Sequence, residues 1–269
     1  MVIKMKFYMA GALTLLGSSR AFANIHDEVL FSYYGEADCF LKNIDLFKDI
    51  FMDSGAFSAH TQGVKIDINE YADFINRYKN KLTLYANLDV MFKPDQTLKN
   101  QEILEKKGCK PLPVFHLGED LKYLDDYCRS YDYIALGGIA LPGPGSGKDK
   151  WLNDIFNRYP KHKFHGFGVG DLSMMIKYPF YSVDSSSWFL GQKYGHLIYP
   201  DLSSGHYNDI TIEKLNQINM LGFSRYDIEN SYNARNIFNM LSIRLAIFRM
   251  NNDDERGFEK FNDVTEELK

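Results

Sequence analysis

The chain has 269 residues, of which 45% are hydrophobic and 25% charged, enough for a sizeable core and no match for collagen-like or disordered compositions. A formal net charge of -4 disfavours gripping nucleic acid by bulk charge and leaves that task to a local basic groove. Cys39, Cys109 and Cys128 stand far apart without CxxC spacing, which argues against a disulfide framework and a cysteine-rich zinc module. A mixed site drawing on His196 or His206 is the remaining metal option, and neither a metal nor a cofactor is expected.

Residues 1–23 carry two lysines, an apolar run and a closing Ala-Phe-Ala, which imitates a secretory signal. The competing reading makes KFYMAGA (6–12) the first buried strand, and Arg20 inside the run weakens the signal reading. No later apolar stretch is long enough to span a membrane. The expectation is a cytoplasmic protein with no membrane partner.

Short apolar runs then alternate with amphipathic stretches of helical period. The strand candidates are 6–11, 49–55, 82–89, 111–118, 133–140, 163–170 and 180–186, with HLIYP (196–200) as an eighth. Helices are predicted over 66–80, 94–108 and 119–131, where apolar residues fall three and four apart. Apolar strands separated by helices imply a parallel sheet covered on its faces. The fold expected is α/β, a (β/α)8 TIM barrel in one domain over 1–250, with an open doubly wound sheet as the rival. A long helix over 231–250 closes it, and 251–269 forms a charged tail.

Polar and glycine residues gather where these strands end: Asp53-Ser54-Gly55, Asn87-Leu88-Asp89, His116-Leu117-Gly118, Gly137-Gly138, Gly168-Val169-Gly170 and Val183-Asp184-Ser185. In a barrel those ends meet on one face, where active sites are built. One aspartate there is ordinarily a satisfied loop cap; three converging, Asp53, Asp89 and Asp184, point to a site, since buried carboxylates are costly unless paired. The glycines let a flat ligand approach the backbone. PGPGSGKD (142–149) fails as a phosphate loop, because Pro142 and Asp149 occupy required positions, and reads as a loop whose Lys148 is a phosphate-contact candidate. GFGVGD (166–171) lacks dinucleotide-fingerprint spacing and reads as a closely packed strand end.

DSGAFS (53–58), PVFHLGE (113–119), YIALGGIA (133–140), HGFGVGD (165–171) and YSVDSSSW (181–188) occur in an order and spacing that resembles the tRNA-guanine transglycosylase superfamily. KFYMAGA and LFSYYGE (30–36) extend the likeness to its short, phage-encoded branch, the DNA 7-deazaguanine transglycosylases. The resemblance covers roughly Lys6 to Trp188, and it implies a zinc-free single barrel, retained from residue 6 onward. It implies exchange of guanine in DNA for a free 7-deazaguanine base, with tRNA as the alternative polynucleotide. By motif, Asp184 matches the nucleophile that holds a covalent glycosyl intermediate, and Asp53 the general acid/base. Asp89 takes the place of the base-recognising aspartate, and Gly137 and Gly138 that of the glycine pair lining the base pocket. His116 stands where the family often has another polar base contact, which makes the histidine a departure. Ser54, Phe57 and Gly168 complete the expected substrate-binding set.

Phe57, Phe115 and Trp188 are stacking candidates whose ordinary reading is core packing. Lys161, His162, Lys163, Arg225 and Arg235 are phosphate-contact candidates whose ordinary reading is a solvated charged face. The tRNA enzymes' CxCxxC zinc motif is absent from the sequence, which favours the DNA branch. Two further rivals are a barrel glycoside hydrolase using Asp53 and Asp184, and a non-catalytic nucleic-acid-binding barrel.

Overall fold

The computed structural model describes residues 4–12, 23, 26–140, 146–189, 197–210 and 223–252. Eight parallel strands run β1 (Lys6–Ala10), β2 (Glu28–Ser32), β3 (Asp49–Asp53), β4 (Leu84–Tyr85), β5 (Val114–His116), β6 (Tyr133–Gly137), β7 (Lys163–Gly166) and β8 (Ser182–Ser185). They pair in the order β4-β3-β2-β1-β8-β7-β6-β5. Parallel neighbours need a crossover, and helices supply it. These are α1 (Tyr33–Asn43), α2 (Ala56–Thr61), α3 (Ile68–Tyr78), α4 (Pro94–Lys106), α5 (Leu121–Ser130), α6 (Ser146–Arg158) and α7 (Leu172–Lys177).

The two-residue period of a strand divides the core into two clusters. Phe7, Met9, Val29, Phe31, Ile50, Met52, Ile134, Leu136, Phe164 and Val183 face the helices. Their strand neighbours Tyr8, Leu30, Phe51, Val114 and Ala135 pack together on the other face, with Ala86 and Leu112. That inner cluster draws residues from both edges of the sheet, so the sheet is curled. Where the edges meet, Ala86 and Leu112 form an isolated parallel bridge. Two backbone hydrogen bonds hold it, Asn87 N to Leu112 O at 2.9 Å and Leu112 N to Tyr85 O at 2.8 Å. Strand pairing does not continue around this seam, where β4 is two residues long.

The expected strands recur with shorter bounds and one correction. HLIYP is not the eighth strand of the sheet. Leu197–Asp201 (β9) pairs antiparallel with His206–Ile210 (β10) in a separate ribbon. The missing parallel strand is β2, inserted between β1 and β3. Its EVLFS sequence has only three consecutive apolar residues, too short a run to stand out. Lys6–Ala10 pairs with β2 on one side and β8 on the other, with Phe7, Tyr8 and Met9 all buried. Residues 1–3 and 13–22 of the signal-like stretch lie outside the described residues, as does His196.

The helix stripes are also less uniform than their spacing suggests. In α4 the buried positions are Thr97, Asn100, Gln101 and Leu104, three of them polar. The sequence between Pro142 and Asp149 is not all loop, because α6 starts at Ser146 and includes Lys148. Residues 141–145 lie outside the described residues. After β8 come the ribbon, α8 (Arg225–Asn230) and the 21-residue α9 (Tyr232–Asn252). Asn239 on α9 accepts from Ile198 N at 2.9 Å and donates to Trp188 O at 3.2 Å. Asn251 accepts from Met5 N at 2.8 Å and donates to Met5 O at 2.9 Å, fastening the helix to the start of β1. The charged tail beyond residue 252 lies outside the described residues.

Phe115 and Trp188 are fully buried, which assigns both to packing and removes them as stacking surfaces. Phe115 points to the helix side and stacks on Trp151, with ring centroids 5.8 Å apart. Trp188 donates its Nε1–H to Ala10 O at 3.0 Å. Phe115→Ala is expected to lower unfolding free energy by about 3–5 kcal/mol, read by urea denaturation, as for other buried aromatics.

Candidate active site

Asp53 and Ser185 end their strands, Asp184 precedes Ser185, and His116 and Gly137 end theirs in direct register with each other. Asp53 shares the inward parity of Phe51, His116 that of Val114, and Gly137 that of Ala135. Asp184 lies beside Tyr8 of β1. The pleat therefore aims these side chains into one space at the C-terminal end of the sheet.

Asp53 accepts a hydrogen bond from Gly55 N at 3.1 Å. Burial pushes its carboxyl up, repulsion from Asp89 and Asp184 adds to that, and the backbone donors only partly offset it, leaving it at about 7. Asp89 is joined to the residue after Asp53 by the Ser54 hydroxyl, and Asp184 shares the inward parity of the same sheet end. Among the described residues no three His, Cys, Asp or Glu side chains are grouped to hold a metal ion. Gly55 is required for this turn, because its φ is +74° and an added Cβ would lie 2.8 Å from Tyr34 Cβ.

Asp89 follows β4 on a loop that α4 fastens from below. Asn87 donates to Thr97 O at 2.8 Å, Asn100 to Leu88 O at 2.7 Å, and Val90 N to Thr97 Oγ1 at 2.9 Å. This is the reason for the polar face of α4. Ser54 Oγ donates to Asp89 Oδ1 at 3.2 Å, and His116 Nε2 meets Asp89 Oδ2 at 2.8 Å. His116 Nδ1 lies 3.2 Å from Glu119 Oε1, while Glu119 Oε2 accepts from His116 N at 2.9 Å. Burial alone would lower the imidazole, but its hydrogen bonds and charge attraction to Asp89 and Glu119 outweigh that and raise it to about 10. His116 is then an imidazolium at neutral pH, with both N–H groups committed to carboxylates. A Cβ on Gly137 would lie 2.5 Å from His116 Cδ2, so the glycine makes room for this ring.

Asp184 is buried, and its Oδ1 accepts from Gly168 N at 3.0 Å and meets His165 Nε2 at 3.2 Å. Gly168 holds φ +67°, and an added Cβ would lie 2.7 Å from Ala140 Cβ. Behind Asp184, His165 Nδ1 lies 2.6 Å from Ser182 Oγ, which lies 2.5 Å from Tyr133 OH. Oδ2 of Asp184 makes no hydrogen bond among the described residues.

The structure thus brings Asp53, Ser54, Asp89, His116, Gly137, Gly168 and Asp184 together. Gly138 follows Gly137 with φ +81° and packs against Leu117. Phe57 is the second residue of α2, four beyond Asp53, and is half-exposed. The phosphate-contact candidates fare differently. Lys163 opens β7 at the far end of the sheet from Asp184 and sits over the Tyr181 ring. His162 Nε2 meets Cys128 O, Arg225 pairs with Glu229, and Arg235 donates to Ile228 O.

Sequence reasoning missed Glu119, His165 and Ser182 as members of the site. HGFGVGD and SVDSS contain the last two, but only the strand pairing of His165 with Ser182 puts them in contact. Phe92, three residues beyond Asp89, is exposed and is the non-glycine residue with positive φ among the described residues, at +58°. Strained backbone next to a strand end is common around ligand sites.

No protein-family model matches the chain, and no curated protein matches it by sequence. Among the described residues no helix is long and apolar enough to cross a membrane.

Asp53 gives a stability test of the site's electrostatics. The folded protein keeps its proton up to about pH 7, whereas an ordinary aspartate loses it near 3.8. Between those values the folded state binds more protons than the unfolded state, so stability falls as pH rises. Asp53→Asn removes that loss. Its thermal midpoint, relative to wild type, is expected to be higher at pH 8 than at pH 4.

Proposed function

We propose that this chain is a DNA-guanine transglycosylase, which exchanges guanine in DNA for a free 7-deazaguanine through a covalent glycosyl-aspartate. The reading takes the curled sheet as the wall of a (β/α)8 barrel with its seam at Ala86–Leu112, and the carboxylate face as its catalytic mouth. One observation carries it: of two aspartates at strand ends on one face, Asp184 has one oxygen held by two N–H donors and the other unbonded among the described residues, while Asp53 has only backbone donors and desolvation pushes it up to about 7. Such divergence separates an acid from a nucleophile. The ordered motifs that resemble the transglycosylases support the same assignment, and their short DNA branch is the nearer likeness.

In the first half-reaction Asp184 Oδ2 attacks the sugar C1′ as the C1′–N9 bond to guanine breaks. Asp53 gives its proton to the departing base. The oxocarbenium-like transition state lies beside a carboxylate that can stabilise and trap it. In the second half-reaction N9 of the incoming base bonds to C1′, its proton passes to Asp53, and the C1′–Oδ2 bond breaks. Two inversions retain the β configuration, and Asp53 is restored. The target base must leave the stack to reach this site.

Asp89 recognises the base edge. Its two oxygens each already hold one donor, and a carboxylate has about four acceptor positions, so one remains on each oxygen for N1–H and the exocyclic amine. His116 has no N–H to spare and serves by fixing Asp89. Phe57 is the exposed aromatic beside the acid.

Nucleoside mass spectrometry of DNA and tRNA, after incubation with protein and a 7-deazaguanine, is the deciding measurement. The modified nucleoside is expected in DNA; its appearance only in tRNA would reassign the substrate, and free sugar release would favour the hydrolase. Asp184→Ala is expected to abolish both exchange and a denaturation-resistant protein–DNA adduct while leaving the circular dichroism unchanged. Asp53 must carry its proton to release guanine. Single-turnover guanine release is therefore expected to fall as pH rises through about 7, the value at which Asp53 loses that proton.

A further inference from the structure

We infer that His165 is the positioning residue of the nucleophile, held with its proton on Nε2 by a buried chain through Ser182 and Tyr133. The inference rests on the transglycosylase reading for its kinetic consequence but on geometry alone for the tautomer. His165 is fully buried, as is Ser182. The edges of Phe51 and Phe167 meet its ring, with centroids 4.7 Å away in each case, and Tyr8 packs at 6.1 Å. That cage fixes the plane of the ring, and the hydrogen bonds at its two nitrogens select between its two flipped positions.

The hydrogen-bond directions follow from donor capacity. The Asp184 carboxylate accepts only, so Nε2 must donate across the 3.2 Å contact. We take the ring as neutral, so that Nδ1 accepts from the Ser182 hydroxyl at 2.6 Å and Ser182 Oγ, its own proton used, accepts from Tyr133 OH at 2.5 Å. Each group in the chain donates one hydrogen bond forward, from Tyr133 to Ser182, to His165 and to Asp184. Ser182 and Tyr133 fix the tautomer as an outer partner commonly does for a working histidine.

The consequence falls on the second half-reaction. As the C1′–Oδ2 bond breaks, its electron pair returns to Asp184 and spreads onto Oδ1. His165 Nε2–H and Gly168 N–H already point at that oxygen. The arrangement works as a two-donor hole for the leaving carboxylate, made before the charge arrives. The same two donors turn Oδ2 toward the sugar in the first half.

The test pairs His165→Phe, which keeps a ring in the cage and loses the donor, with His165→Gln, which keeps an N–H near the Nε2 position. In single-turnover assays His165→Phe is expected to slow breakdown of the protein–DNA adduct by roughly a hundredfold, the usual cost of one such donor. KM for DNA is expected to stay unchanged, and His165→Gln to recover most of the rate. Wild-type breakdown in the Phe variant, or a Gln variant no better than Phe, would overturn the inference. Should the Phe variant fail to fold, Ser182→Ala is expected to slow breakdown and mix the tautomers, and no change in either overturns the inference as well. Nitrogen-15 NMR of the wild-type imidazole is independent of activity and is expected to show the proton on Nε2 of His165; a proton on Nδ1 would sink the proposal. A wild-type protein with that tautomer but no base exchange would instead defeat the functional reading.

Discussion

A carboxyl group partly withdrawn from water on the same face of the sheet as two other carboxylates is the constraint around which this end of the molecule is arranged. Among the described residues Asp53 has no ion-pair partner and only short-range backbone donors to offset desolvation, which pushes its carboxyl up to about 7. Four positions earlier on the same strand and face, at the strand's other end, Asp49 meets Lys6 Nζ at 2.5 Å and Tyr8 OH at 3.0 Å. The two aspartates have the same side chain and open and close the same strand. One is neutralised as part of the scaffold, and the other is left without a charge partner among the described residues, at the end of the strand where the proposed reaction would use an acid.

The other two carboxylates are each gripped by a histidine from a neighbouring part of the sheet. His116 holds Asp89 as an imidazolium clamped between two carboxylates, and His165 holds Asp184 through one ring nitrogen. Three acids at one end of the sheet are tolerable because their surroundings differ. One is protonated, one is paired with a cation, and one is wrapped in N–H donors. A site of this kind costs stability, and the curled sheet beneath it supplies the rigidity. Its inner face is filled by Tyr8, Phe51 and Ala135, and its helix-covered face by the larger apolar cluster.

Rigidity at the loops has a local origin. The polar face of α4 serves the Asp89 loop, with Thr97 and Asn100 answering buried backbone groups that would otherwise go unpaired. Gly55, Gly137 and Gly168 stand where a Cβ would strike Tyr34, His116 and Ala140. Each of these glycines is a clearance for a side chain or backbone that holds a carboxylate in place.

Local pattern alone was sufficient for the alternation of apolar strands with helices, because a parallel sheet buried on both faces leaves continuous apolar runs. It was also sufficient for the strand-end aspartates, since a carboxylate closing an apolar run conflicts with burial in any fold. β2 escaped notice because three apolar residues make too short a signal, and the apolar HLIYP segment was mistaken for it because composition does not tell a sheet strand from a ribbon. Whether Phe115 faced a ligand or the core was undecidable from sequence, as that depends on pleat parity relative to neighbours. Contacts between His165 and Ser182 or His116 and Asp89 arise from how the strands are ordered and registered, which also turns Asp53 and Asp184, 131 positions apart, to the same face at the same end of the sheet. The amino-acid order therefore determined which acids end which strands. Only the curled sheet decided which of them would be buried together, and with that which would keep a proton.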